Sequence, residues 1–224
     1  MLASEWIKTW SLRSTPWTIA LTVLFVVASS AVATLVAGSM GALTVVSEYG
    51  SGLIRTTIVA VPARGSVVPA KAAVTAMLWT AVGTVVSTGS LLVSQAVLAG
   101  RHAGVPLTHP GVLRALAASA LLAPVCALIG LGLGALIRHG AATVVAGVVT
   151  LLMLPPMFSE GDRWSADVNH AMVSAAWKRL VQNWEPDPGS PGYTATVPGS
   201  WIVYAVWPLI AVALAVVVVR RRDV

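Results

Sequence analysis

The fold class is decided by residues 113–137, which read LRALAASALLAPVCALIGLGLGALI. A helix needs roughly 20 apolar residues to cross a hydrocarbon core of about 30 Å, and this stretch holds a single charge, Arg114, near its start. Its apolar residues are continuous, whereas a membrane β-strand alternates in polarity over about 10 residues. The stretch therefore predicts a helix that spans a membrane.

The whole chain has the same character. Of its 224 residues, 57% are hydrophobic and 10% are charged, and the mean hydropathy is +0.84. A water-soluble domain typically carries about 25% charged residues, because it needs a polar surface. We therefore expect an all-α protein, a polytopic transmembrane helical bundle of about six spans, with no large soluble catalytic domain.

Apolar runs and polar breaks divide the single predicted transmembrane domain, residues 1–224, into six segments. Within the longest polar stretch, Val173, Trp177, Leu180 and Trp184 recur at helical spacing, which predicts a helix lying in the membrane interface. The six segments are an interfacial helix at 1–15, a short first hairpin at 16–46, a cytoplasmic loop at 47–71, the third to fifth spans at 72–157, an extracellular segment at 158–199, and the last span with a basic tail at 200–224.

Residues 16–46 leave two topologies open, because about 31 apolar residues are too many for one upright crossing and too few for two full crossings. If the stretch crosses twice, nine Lys and Arg lie on one side of the membrane and five on the other. If it crosses once, the split is seven to seven. Lys and Arg are enriched on the cytoplasmic side, so the nine-to-five split favours a hairpin. Both termini and the 47–71 loop are then cytoplasmic, and residues 158–199 are extracellular.

Motifs that would carry catalysis are missing from the sequence. It contains no HExxH, GxSxG or CxxC motif, and its one cysteine, Cys126, lies in an apolar run. No charged residue falls at the centre of an apolar run, although such residues mark proton and ion pathways. We expect no catalytic residue, no metal site and no cofactor. Most of the Lys and Arg that give the net charge of +6 lie between or beyond the apolar runs, where such residues set the orientation of membrane spans. We therefore expect no nucleic-acid partner.

Two glycines four residues apart, Gly130 and Gly134, form a GxxxG pair inside the apolar run 121–137. Glycines at this spacing let two membrane helices approach closely. A phosphate-binding loop would need a Gly-Lys-Ser or Gly-Lys-Thr sequence, which does not follow these glycines. The pair therefore predicts helix packing, either within the chain or between two chains.

Residues 47–71, SEYGSGLIRTTIVAVPARGSVVPAK, resemble the first cytoplasmic loop of bacterial ATP-binding-cassette (ABC) exporter permeases of the second type. Members of that family often read close to EYxxGxIRTT, followed by a basic residue and then by AK. The amino-terminal SEWIKTWSLRSTPW, the LGALIRH of residues 133–139 and the RRRD of residues 220–223 are similar to the same family. The first hairpin is shorter here than is usual in the family.

The resemblance implies a six-helix permease subunit in the bacterial cell membrane, surrounded by membrane lipid. It would work as a homodimer or heterodimer with separate ABC ATPase subunits, which hydrolyse ATP, and would export an unidentified hydrophobic or amphipathic substrate. The coupling helix that contacts the ATPase would comprise Glu48, Tyr49, Gly52, Leu53, Ile54, Arg55, Thr56 and Thr57. The same sequence features allow a second reading, a membrane scaffold or a resistance or immunity factor without a transport cycle.

Overall fold

The computed structural model describes residues 32–47, 67–99, 109–158, 160–182 and 193–221, with side chains in the second range described as far as residue 95. All regular structure in these ranges is helical, which confirms the all-α prediction for this part of the chain. The predicted interfacial helix at 1–15 and the first half of the predicted hairpin lie outside the described residues.

Seven α-helices occur in the described ranges. Three of them, α2, α3 and α7, are long and apolar enough to cross a membrane, as expected of a membrane protein. The first helix and the Gly140–Met153 segment are shorter apolar helices. The helices are α1 (Val32–Ser47), α2 (Val67–Ala99), α3 (Val112–Ile137), α4 (Gly140–Val148), α5 (Arg163–His170), α6 (Val173–Val181) and α7 (Val197–Arg221).

Several helix bounds differ from the predicted segments. The α2 helix begins at Val67, so the last five residues of the predicted 47–71 loop are helical. Pro69 lies in the first turn of α2, where a backbone N–H has no partner within the helix, and proline is tolerated there. The α4 helix continues as a π-helical turn, Val149–Met153, before a 3-10 turn at Pro155–Met157 ends it. Residues 158–199, predicted to be extracellular, contain two short helices, α5 and α6, where one was expected.

The α3 helix lies at the centre of the packing. Of the 18-residue apolar stretch of α3 that could cross a membrane, 61% is buried, compared with 22% of the corresponding stretch in α7 and 6% in α2. It contacts α2, α4, α6 and α7, and its glycines also contact α1. The helix ends at Arg138, which adopts a left-handed conformation with φ of 59° and donates its backbone N–H to the Gly134 carbonyl.

Glycine allows α1 and α3 to touch through their backbones. A Cβ atom placed on Gly130 would overlap the carbonyl oxygen of Gly38, and one on Gly41 would overlap the carbonyl oxygen of Ala127. A Cβ on Gly134 would lie 2.9 Å from the carbonyl oxygen of Ala42. The structure therefore places the GxxxG pair in a contact within the chain, where two helices cross at the shortest distance their backbones permit.

Two further glycines bring α2 and α7 equally close to α3. Gly83 of α2 faces the backbone of Ala120, whose carbonyl oxygen a Cβ at that position would overlap. Gly132 of α3 faces Ala211 of α7, and a Cβ there would lie 2.7 Å from the Ala211 Cβ. Each of the three neighbours α1, α2 and α7 thus meets α3 at a position where only glycine fits.

The two ends of α3 differ in what covers them. At its carboxyl end, Ala135 belongs to a buried cluster with Val45 of α1, Val68 of α2 and Val219 of α7; we call this the basic end. At its amino end, Leu122 and Val125 pack with Leu180 of α6 and Tyr204 of α7. We call the two short helices α5 and α6 the cap, and this end of α3, on which α6 packs, the capped end. α1, α3 and α7 therefore run toward the basic end, and α2 runs away from it.

Replacing Gly130 with Ala is expected to destabilise the fold by about 1–3 kcal/mol, because the added methyl group must push α1 away from α3. The free energy of unfolding in mixed detergent micelles measures the effect. Gly89 of α2 is the matched control, since a Cβ there meets nothing within 4 Å. Gly89→Ala should leave stability unchanged or raise it slightly, because alanine favours helix. Equal stability of the Gly130→Ala variant and the unmodified chain would contradict the backbone contact.

Candidate functional site

The predicted coupling residues Glu48, Tyr49, Gly52, Leu53, Ile54, Arg55, Thr56 and Thr57 lie outside the described residues. The helices that flank them are described. The Lys71 Nζ of α2 donates a hydrogen bond to the Thr44 carbonyl of α1 at 3.0 Å. Val45 of α1 is buried in the same cluster as Val68 and Ala72 of α2. The segment between α1 and α2 therefore starts and ends at the basic end, where the two flanking helices contact each other.

Charge is distributed unequally between the two ends. Lys71, Arg138, Arg220 and Arg221 lie at or next to the basic end, and none of the acidic residues in the described ranges lies there. The three acids that these ranges contain, Glu160, Asp162 and Asp167, all lie at the capped end, together with Arg114, Arg163, Lys178 and Arg179. Among the described residues, the basic end thus presents cations alone, and the capped end presents a mixture of both signs.

The α2 helix carries a row of hydroxyl groups beside the surface that packs on α3. Thr80, Thr84 and Thr88 recur every four residues, and Ser87 lies on the same side one turn after Thr84. We call these four residues the hydroxyl face. The Thr84 and Thr88 hydroxyls donate to the carbonyls of Thr80 and Thr84 at 2.7 and 2.6 Å. In the described structure Thr84 is exposed and the other three are half-buried, so the face is partly accessible along the edge of the α2–α3 contact.

A second exposed side of α2 is purely apolar. Val74, Leu78, Val85 and Leu92 are spaced by four and seven residues, and each is at least 60% exposed. Lipid tails suit this surface, whereas serine and threonine are enriched where membrane helices contact one another. The spacing of the threonines is visible in the sequence, but sequence analysis did not identify it as a surface.

The cap is fixed to α3 by an arginine at the start of that helix. The Nε of Arg114 donates to the Leu180 carbonyl at 3.0 Å, and a terminal nitrogen donates to the Gln182 carbonyl at 2.7 Å. These carbonyls belong to the last turn of α6 and to the residue after it, where no intrahelical donor remains. Arg114 therefore caps the carboxyl end of α6 and connects α6 to α3.

Two further side chains tie the cap to α4 and α7. The amide nitrogen of Asn169 donates to the carbonyls of Pro155 and Phe158 at 3.1 and 2.9 Å. The indole N–H of Trp207 donates to the Ala171 carbonyl at 2.7 Å. The predicted apolar stripe faces inward at Val173 and Leu180, while Trp184 lies outside the described residues.

Within the described ranges, no group of three or more His, Cys, Asp or Glu residues is arranged to hold a metal ion. The Cys126 thiol is fully buried in α3. The described residues form three features of note: the hydroxyl face on α2, the contacting ends of α1 and α2 at the basic end, and the cap at the opposite end.

No protein-family model matches the chain, and searches of curated proteins and of solved structures find no significant match.

Replacing Arg114 with Met should loosen the cap, because two carbonyls at the end of α6 lose a charged donor. Such bonds are worth about 1.5–3 kcal/mol, so local opening of α6 should become about tenfold or more frequent. Hydrogen exchange of the amides in residues 173–182 measures this. Arg163→Met is the matched control, since Arg163 is exposed in the first turn of α5. If α6 exchanges equally fast in both variants, Arg114 does not hold the cap.

Proposed function

We propose that the chain is the membrane-spanning permease subunit of an ATP-driven ABC exporter in the bacterial cell membrane. Two copies, or one copy and a related subunit, work with separate ATPase subunits to move a hydrophobic or amphipathic substrate out of the cell. The observation that carries the proposal is the hydroxyl face of α2, which lies beside a purely apolar face on the same exposed helix.

The two faces of α2 call for two different surroundings. The apolar face suits lipid, and the hydroxyl face suits a second protein chain or a water-filled path. Among the described residues, Thr84 of the hydroxyl face is exposed, and Thr80, Ser87 and Thr88 are half-buried at the edge of the contact that Gly83 makes with α3. Two copies related by a two-fold axis would bring their hydroxyl faces together and enclose a path without fixed charge. Such a path fits a hydrophobic or amphipathic substrate.

Coupling to ATP hydrolysis would occur through residues 48–57, at the basic end. They are part of the 48–66 segment that connects α1 to α2, so a push on this segment would tilt the helix that carries the hydroxyl face. The bond between Lys71 and Thr44 would make both helices move together. In the coupling helix, Tyr49 would supply a buried anchor, whereas an exposed pair between Glu48 and Arg55 would be worth about 1 kcal/mol or less.

The proposed topology has six spans, with α1 as the second half of a short first hairpin and Gly140–Met153 as the fifth span. At 1.5 Å per residue, fourteen residues cover about 21 Å, so the bilayer would have to thin locally around this span. The basic end and both termini would be cytoplasmic, as the nine-to-five division of Lys and Arg favours. The cap formed by α5 and α6 would lie outside the cell.

Cysteine accessibility along α2 tests the proposal. Thr84→Cys and Val85→Cys are adjacent in the chain but lie on the hydroxyl and apolar faces, and native Cys126 is buried. A membrane-impermeant maleimide should label Thr84→Cys several-fold faster than Val85→Cys in intact membranes, because the thiolate that reacts needs water. Equal protection of both positions would remove the water-filled path and favour the scaffold or resistance-factor function.

A further inference from the structure

A cavity of about 210 Å³ lies beneath the cap, where α3, α4 and α7 meet it. It is lined by residues of α3, of the turns that end α4, and of α5, α6 and α7, among them Ile129 of α3, Leu151 of the π-helical turn and Trp207 of α7. Protein interiors are close-packed, and an engineered cavity of about 150 Å³ is already large enough to bind benzene. The cavity therefore has room for a ring or for a short hydrocarbon segment.

The wall of this cavity is almost entirely carbon. The indole N–H of Trp207 is already bonded to the Ala171 carbonyl, and the Ser174 hydroxyl is itself buried behind the surface. A stable buried water needs two to four polar partners, which this wall does not offer. None of the described residues that line the cavity is charged. Its shape and chemistry suit hydrocarbon.

The surrounding frame holds the cavity open. The α4 helix widens into a π-helical turn, closed by the bond from Leu154 N–H to the Val149 carbonyl at 2.9 Å, and then stops at Pro155 and Pro156. Turns of this kind occur frequently at functional sites. Asn169 ties the cap to the end of α4. The cap therefore cannot settle into the space without breaking these bonds, which makes the cavity a preformed site.

We propose that the cavity binds the end of a lipid acyl chain. The chain has three helices able to span a membrane, so acyl chains are the hydrocarbon that surrounds it. The volume accepts only part of such a chain, and the uncharged wall offers nothing to a headgroup, which stays outside in the bilayer. A bound acyl chain would join the cap to α3 and α7 and would make its stability depend on the membrane. This role is independent of transport.

Photolabelling in lipid nanodiscs tests the site. The full chain is reconstituted in phosphatidylcholine, a small fraction of which carries a diazirine near the end of one acyl chain. After illumination, peptide mass spectrometry should find label at residues 151–155 and 172–174. Ser174→Leu and Thr150→Leu fill the cavity from opposite walls and should each reduce this label several-fold. Ser165→Leu makes the same kind of change on α5 outside the cavity and should leave the label unchanged.

A second probe, a diazirine-bearing octanol, separates the sources of hydrocarbon. Label from the lipid at the cavity residues, lost in both filled variants while each remains monodisperse, supports the proposal. Label from octanol alone would overturn it, because the occupant would then be a free small molecule. Label that persists in both filled variants would also overturn it, since the lipid would be touching only the outer surface. The absence of label from both probes at these residues would do the same.

Discussion

The structure depends on the backbone contacts that α3 makes through glycine. Inside a bilayer the lipid tails are as apolar as leucine, so burying apolar surface contributes little to helix association. The attraction between the helices must come from close packing. Gly130 meets Gly38 of α1, Gly83 of α2 meets Ala120, and Gly132 meets Ala211 of α7. A side chain at any of these positions would separate two helices. The central helix is therefore defined by three contacts that leave no room for a Cβ.

These contacts also determine which surfaces remain open. Because α2 packs on α3 with the side that carries Gly83, its apolar face points away from the bundle, and its hydroxyl face lies at the edge of the contact with Thr84 exposed. At the basic end, the carboxyl end of α3 packs with the carboxyl ends of α1 and α7 and with the amino end of α2. The 48–66 segment connects α1 to α2 at this end. The amino end carries Arg114, which holds the cap. The proposed coupling and the fixed cap thus lie at opposite ends of one helix.

Sequence patterns predicted the elements better than the contacts between them. The continuous apolar run at 113–137 gave α3, and the spacing of Val173 and Leu180 gave α6, because each pattern is local. The start of α2 was placed at residue 72 because Pro69 and Lys71 are typical of loops, whereas Pro69 fits the first turn and Lys71 bonds to Thr44. The carbonyl partners of Arg114 lie 66 and 68 residues away, so no local pattern shows its role. The cavity is formed where residues 150–174 meet Ile129 of α3 and Trp207 of α7, and no motif marks it.

ATP hydrolysis by the isolated protein tests the central claim most directly. A tagged chain would be purified in mild detergent from its native membranes, and separately from a host that supplies no partner. The account predicts that the first preparation contains a second, nucleotide-binding subunit and hydrolyses ATP, while the second does neither. Tyr49→Ala should lose the second subunit from native membranes more completely than Glu48→Ala. ATP turnover by the chain alone, or a native preparation with neither partner nor turnover, would contradict the permease function.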